Sequence, residues 1–198
     1  MAAAYWCVIN SPSELAEPEI DAACIQGVDA IVLPKVSSAL DITHIGRQLD
    51  ALEAQRGFKS GSLRLIAQIE DVASLPRLDE IAQSPSRLLG IILGSEDFSV
   101  SAGMDPIPET LFAPNQQIVF ACRRAGILPL GFPASITDYT DLVSFRNHIS
   151  RARRMGRRSV LCSSISGRNY KRGVFVLVLM SKIREALSRR SKPHIAGG

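Results

Sequence analysis

Apolar residues fall in short runs separated by longer stretches of mixed polarity. The runs are "YWCVI" (Tyr5–Ile9), "AIVLP" (Ala30–Pro34), "LRLIAQI" (Leu63–Ile69), "LLGIILG" (Leu88–Gly94), "ILPLGF" (Ile127–Phe132) and "SVLC" (Ser159–Cys162). Several are nearly continuous rather than alternating, the pattern of strands covered on both faces. Strands are therefore predicted near Trp6–Ile9, Ala30–Leu33, Leu63–Ile69, Gly90–Leu93, Leu128–Leu130 and Ser159–Leu161. The stretches between them carry helical spacing and helical punctuation. "ELAEPEIDAACIQG" stops at Gly27, and "DITHIGRQLDALEAQRG" runs from Asp41 to Gly57. "SLPRLDEIAQS" is helical in its apolar spacing. "NQQIVFACRRAG" opens on Asn115 as an N-cap and stops at Gly126, and "DLVSFRNHISRARRMG" runs from Asp141 to Gly156.

Such βαβα alternation predicts an α/β fold of parallel strands joined by right-handed crossovers, either a doubly wound sheet or a (β/α)₈ barrel. In both, ligands sit beyond the C-terminal ends of the strands. That rule singles out two acidic strand ends. "LIAQIE" finishes on Glu70, and "GIILGSEDF" places Glu96 and Asp97 directly after its glycine.

Composition narrows the picture. With 198 residues, 46 % hydrophobic and 21 % charged, the chain is long enough for one domain with a real core. No apolar run approaches a membrane span, and the N-terminus lacks a secretory signal pattern, so a cytoplasmic protein is expected. Cys7, Cys24, Cys122 and Cys162 show no CxxC spacing and read as reduced, mostly buried residues. The net charge of +4 is carried by the tail: from Ser163 onward there are eight Lys and Arg against one Glu, which leaves the preceding body net acidic. Nucleic acid is therefore not an expected partner. No GxGxxG or GxxxxGK[ST] loop is present, so no nucleotide-cofactor site is expected.

The strand-end acids admit two explanations. Like charges gathered at one rim repel each other unless a cation lies between them, and Mg²⁺ takes one or two carboxylates and fills its other positions with water or substrate oxygens. Alternatively, Glu70, Glu96 and Asp97 cap helix N-termini or form ordinary ion pairs. The remaining groups say less. His44 and His148 fall in predicted helices, and His194 lies in a Gly- and Pro-flanked end. Ser95 lacks the surroundings of a serine nucleophile. Lys35, after "VLP", suits a Schiff base or, more simply, contact with an anionic ligand or a neighbouring carboxylate. Cys162 reads as core at the end of the last strand.

Longer segments carry more information than spacing. "DAIVLPKVSSALDI", "LIAQIEDVASLPRLDEIA", "GIILGSEDFSVSAG", "ACRRAGILPLGFPASITDYTDLVSFRNHISRARRMG" and "SVLC" occur in that order and resemble the HpcH/HpaI aldolase and citrate lyase beta-subunit family from Trp6 to Cys162. The resemblance implies a (β/α)₈ TIM-type barrel. It also implies Mg²⁺-dependent making or breaking of a C–C bond in a 3-hydroxyacyl-CoA thioester or related hydroxy acid. The family's metal ligands, which are its catalytic groups, fall on Glu70 and Asp97, with Glu96 beside them.

Three departures qualify this. The family has two strands before the one matching "YWCVIN", so the barrel is expected to be incomplete, to expose sheet edges and to find partner subunits as a homo-oligomer. Val8 stands where the family carries an arginine that anchors the substrate's anionic end. After Cys162 the family continues Ile-His-Pro-x-Gln, where this chain reads "SSISGRNYKRGVF". Codons for Ser164–Gly173 read from their second base permit the family's ending, so residues 163–198 are expected to be a non-native tail behind a lyase domain of residues 1–162. The alternative is an amphipathic helix, "VFVLVLMSKIREALSRR". Three functions follow: a C–C lyase, a catalytically impaired relative that keeps the metal rim, or a binding module with a basic tail.

Overall fold

The computed structural model describes residues 4–9, 16–84, 87–131, 142–157, 162–163 and 177–179. Five strands, β1 (Ala4–Val8), β2 (Ala30–Leu33), β3 (Arg64–Ile69), β4 (Leu88–Leu93) and β5 (Leu128–Pro129), run parallel and pair in chain order. They alternate with the helices α1 (Ala16–Ala23), α2 (Ala39–Arg56), α3 (Leu78–Ala82), α4 (Ser95–Ala102), α5 (Phe112–Ala125) and α6 (Leu142–Arg154). A 3₁₀ turn, Val72–Arg77, leads into α3. The sheet is open among the described residues, with order β5-β4-β3-β2-β1-β7-β6, where β6 is Cys162–Ser163 and β7 is Leu177–Leu179. It is an unclosed arc of the TIM-barrel type.

The uninterrupted apolar runs have a direct explanation. Alternate residues of each strand enter two separate cores. Ile31, Leu33, Leu65, Ala67, Ile69, Ile91 and Leu93 pack against Ile20, Ile42, Ile45, Leu49, Leu78, Phe98, Ile118 and Cys122 of the helices. The opposite face of the sheet carries a smaller core of Trp6, Ala30, Val32, Ile66, Leu89 and Leu130, with Val8, Ile92 and Leu128 at its margin. Leu89 bulges out of the β3–β4 register.

Several boundaries differ from expectation. Helix α2 begins at Ala39, because the Asp41 carboxylate accepts the Ser38 N–H at 3.0 Å and the Ser37 N–H at 2.8 Å and so stabilises the first turn. Asn115 is no cap. It lies buried within α5 and donates its amide to the Leu111 carbonyl at 2.7 Å. Helix α1 ends at Ala23, four residues before Gly27. The "SEDFSVSA" segment, expected as a strand end and loop, is helix α4. The parallel arrangement holds for β1–β5, but β7, not anticipated, pairs antiparallel with both β1 and β6. Leu177–Leu179 is therefore strand where the alternative reading had helix. The strand expected at Ser159–Leu161 lies outside the described residues, and the last strand among those described is β7 rather than one ending at Cys162. His194 also lies outside the described residues. Among those described, no helix is long and apolar enough to cross a membrane.

Candidate functional site at the strand ends

Because β1–β5 are parallel, the residues that follow them share one rim: Pro34 and Lys35 after β2, Glu70 after β3, Gly94 after β4 and Leu130 after β5. Glu70 is 7 % exposed. Its Oε1 accepts a hydrogen bond from Gln68 Nε2 at 2.7 Å. Its Oε2 is buried with no hydrogen-bond partner. Of the partnerless buried polar atoms among the described residues, this is the one on a carboxylate. Burial pushes the Glu70 pKa up, and the negative charge of Asp97 pushes it further, against the amide and ammonium of Lys35 and the Gln68 hydrogen bond.

Asp97 is exposed in the first turn of α4, next to half-buried Glu96. The helix starts directly at the strand end, so its positive N-terminal pole faces the rim where both acids stand. Gly94, between β4 and α4, is required by close approach. A Cβ there would lie 2.6 Å from Glu70 Cγ and 2.8 Å from Gln68 Nε2. Lys35 is exposed, and its backbone is left-handed (φ 53°), a conformation that L residues with a Cβ seldom adopt away from functional turns. Ser95 is buried under the rim.

The two acids named from the sequence are thus brought near enough for the charge of Asp97 to raise the Glu70 pKa, and Lys35 joins them. His44 is exposed on α2, 3.2 Å from the Gln48 amide nitrogen, and His148 is half-buried on α6. Neither is a rim residue. Among the described residues no cluster of three or more His, Cys, Asp or Glu could hold a metal ion. Sequence reasoning missed Gln68, which read only as strand. It also missed Arg157, a fully buried cation that donates to the Leu130 carbonyl and to Asn115 Oδ1. Burial draws that guanidinium down to about 10. A surface pocket of about 460 Å³ between α5 and α6, lined by Phe112, Gln116, Arg151, Arg154 and Met155, contains none of the rim carboxylates.

Comparison with known proteins places this rim in context. The model of the HpcH/HpaI aldolase/citrate lyase family matches residues 8–163. The chain belongs to that family. It is 31 % identical over 147 residues to the citrate lyase subunit beta of Escherichia coli K12, covering 73 % of this chain and 48 % of that one. It is 32 % identical over 153 residues to the L-malyl-CoA/beta-methylmalyl-CoA lyase of Rhodobacter capsulatus, covering 65 % and 46 %. The chain therefore spans about half the length of the curated relatives it matches. The family fold is shared with RipC from Yersinia pestis (TM-score 0.64, 25 % identity, 77 % of this chain and 67 % of that one). It is also shared with the citrate lyase beta subunit of M. tuberculosis, solved with oxaloacetate and magnesium (TM-score 0.61, 18 % identity, 77 % and 64 %).

Proposed function

We propose that this chain carries the metal rim of a Mg²⁺-dependent carbon–carbon lyase acting on a 3-hydroxyacyl-CoA thioester or related hydroxy acid, with Glu70 and Asp97 as the ligands. One observation carries the reading: a buried carboxylate oxygen, Glu70 Oε2, has no partner, and a second carboxylate stands close enough to raise its pKa. An arrangement so unfavourable in isolation becomes favourable once a cation is shared. Two carboxylates, with no cluster of three or more His, Cys, Asp or Glu among the described residues, suit Mg²⁺, which keeps positions for water and substrate oxygens. When bound, the ion would polarise a carbonyl and steady an enolate. Around it, Gln68 orients Glu70, Gly94 leaves both side chains room, and Lys35 supplies positive charge for an anionic substrate end. Relatives named as citrate lyase beta and malyl-CoA lyase, and a neighbour of like fold solved with magnesium and oxaloacetate, support this chemistry.

The same reading assigns residues 1–162 to the lyase domain and 163–198 to a tail. The end of the family match at residue 163 supports that boundary, while the tail adds β7 to the sheet edge beside β1. The sheet left open among the described residues supports a homo-oligomer.

A second reading, an impaired family member, is favoured by Val8. Its side chain packs at the margin of the inner core and offers no charge at the family's arginine position. Loss of an orienting anchor removes binding and alignment together, so turnover of citramalyl-, malyl- or citryl-CoA is expected to fall by orders of magnitude below that of a full-length relative.

Calorimetric titration of Mg²⁺ tests the ligands. Glu70→Gln and Asp97→Asn should each weaken binding far more than Glu96→Gln. Equal losses in all three overturn the assignment, and steady turnover near a full-length rate overturns the anchor argument.

A further inference from the structure

Gln68 is out of place on its face of the sheet. Residues 66 and 68 of β3 share one side, and Ile66 belongs to the inner apolar core. The neighbour of Gln68 in the register of β4 is Ile92, also apolar. An amide in such a layer has to find a partner. Gln68 finds it in Glu70 Oε1 at 2.7 Å, while Gly94, by lacking a Cβ, lets the two side chains meet. The result is an asymmetric carboxylate: Oε1 is engaged by the amide and Oε2 is left bare.

We infer that Gln68 is a positioning residue that restricts Glu70 to one-oxygen coordination and so biases the rim toward Mg²⁺ over Ca²⁺. This rests on the metal reading above. The physical basis is the difference between the two ions. Mg²⁺ needs near-octahedral geometry at short distances, which one oxygen per carboxylate satisfies. Ca²⁺ is larger and accepts a carboxylate through both oxygens. An amide on Oε1 opposes the two-oxygen mode and leaves the one-oxygen mode intact. Partners that orient a ligand in this way typically change metal affinity by about 10- to 100-fold when removed.

The experiment is calorimetric titration of the full chain with MgCl₂ and, separately, CaCl₂, for the unaltered protein and for Gln68→Met, Gln68→Asn and Glu70→Gln. Thermal unfolding of each metal-free protein reports on folding. Methionine fills the space without a donor. Asparagine keeps the amide one methylene short of Oε1 and serves if the methionine variant does not fold. The ratio of Mg²⁺ to Ca²⁺ affinity should fall about tenfold in both Gln68 variants, with the metal-free midpoint little changed. A merely structural glutamine would weaken both ions together and leave the ratio alone. An unchanged ratio, in a protein whose Mg²⁺ binding is lost with Glu70→Gln, overturns the role of Gln68 and leaves the metal site standing. Absence of Mg²⁺ binding in the unaltered protein overturns both.

Discussion

Among the described residues two glutamates are buried, at opposite ends of the same sheet, and they are treated in opposite ways. Glu53, in the last turns of α2, is 1 % exposed and lies beneath the N-terminal ends of β3 and β4. Its Oε1 accepts from the Leu63 N–H at 2.8 Å, Ser62 Oγ at 3.0 Å and Arg87 Nη1 at 3.1 Å. Its Oε2 accepts from the Gly61 N–H at 2.7 Å and Arg87 Nη2 at 2.6 Å. Burial alone would raise its pKa, but the hydrogen bonds from Arg87, Leu63, Gly61 and Ser62 outweigh burial and bring it down to about 2. Glu70, at the C-terminal end, has the Gln68 amide on Oε1, a buried Oε2 with no hydrogen-bond partner and a raised pKa. One fold thus keeps two buried carboxylates, one fully satisfied and one left unsatisfied. In barrels of this type the first end serves stability and the second serves chemistry.

The sharpest way to break this contrast is to neutralise each glutamate in turn. Glu53→Gln strips the charge that pairs buried Arg87, which retains exposed Asp50 as its other acid. Removing one partner of a buried pair costs about 3–5 kcal/mol. Glu70→Gln relieves an unpaired buried charge and should change metal-free stability by no more than about 1 kcal/mol, in either direction. Chemical denaturation of both variants without metal checks this. Comparable destabilisation by the two would mean that the rim glutamate is structural after all.

The pH dependence of stability separates them next. Glu53 has a folded pKa below its ordinary value of 4.5, so its stabilisation is fully present above 4.5 and is lost as pH falls through about 2, a swing of roughly 3 kcal/mol. Glu70 has a folded pKa above the ordinary carboxylate value, so it penalises the folded state once ionised, and acidification toward 4.5 removes that penalty. Stability of the metal-free protein should therefore rise slightly on acidification before it falls. Glu70→Gln should abolish the rise and Glu53→Gln should blunt the fall. If both variants follow the parent curve in shape, the opposed pKa directions are wrong.

A smaller effect is expected from filling the gap beside Glu70. Gly94→Ala places a Cβ 2.6 Å from Glu70 Cγ, and the contacts are with side chains that are able to shift. Overpacking of this kind costs about 1–3 kcal/mol, and displacing Glu70 should weaken Mg²⁺ binding as well. Full retention of both stability and Mg²⁺ affinity would show that the rim is looser than its geometry indicates.

How far this contrast could be read from the sequence follows from the range of the interactions. The strands declared themselves because both their faces are buried, which leaves continuous apolar runs. The placement of Glu70 and Asp97 at one rim was legible because parallel topology sends strand ends to the same side. Glu53 was not legible. Its principal partner, Arg87, lies 34 residues away, so a buried ion pair looks locally like an ordinary polar helix position. Gln68 was hidden for the related reason that a polar residue in a strand does not say which face it takes. Helix α4 was missed because it begins at the strand end on Gly94, with no side-chain cap to announce it. Strand β7 escaped because a short apolar run such as "VFVLVLM" fits strand and helix equally well, and its pairing with β1 spans most of the chain.

The smallest expected effect is the control that gives the comparison its scale. Arg124 and Asp79 form an ion pair at 2.6 Å, as short as the one between Arg87 and Glu53, and bridge α5 to α3. Their side chains are 58 % and 53 % exposed, against 8 % and 1 % for Arg87 and Glu53. Water competes for the exposed groups in both folded and unfolded states, and holding two long side chains in one geometry opposes what the charges gain. The net contribution of such a pair is about 0–1 kcal/mol, and added salt reduces it further. Arg124→Ala should therefore shift the denaturation midpoint only slightly, and Arg87→Ala several times more. The Arg124 shift should shrink with added NaCl, while the Arg87 shift should persist, because ions do not reach a pair buried under α2. Equal shifts for the two arginines would show that distance rather than burial sets the strength of these pairs, and the contrast between Glu53 and Glu70 would lose its physical basis.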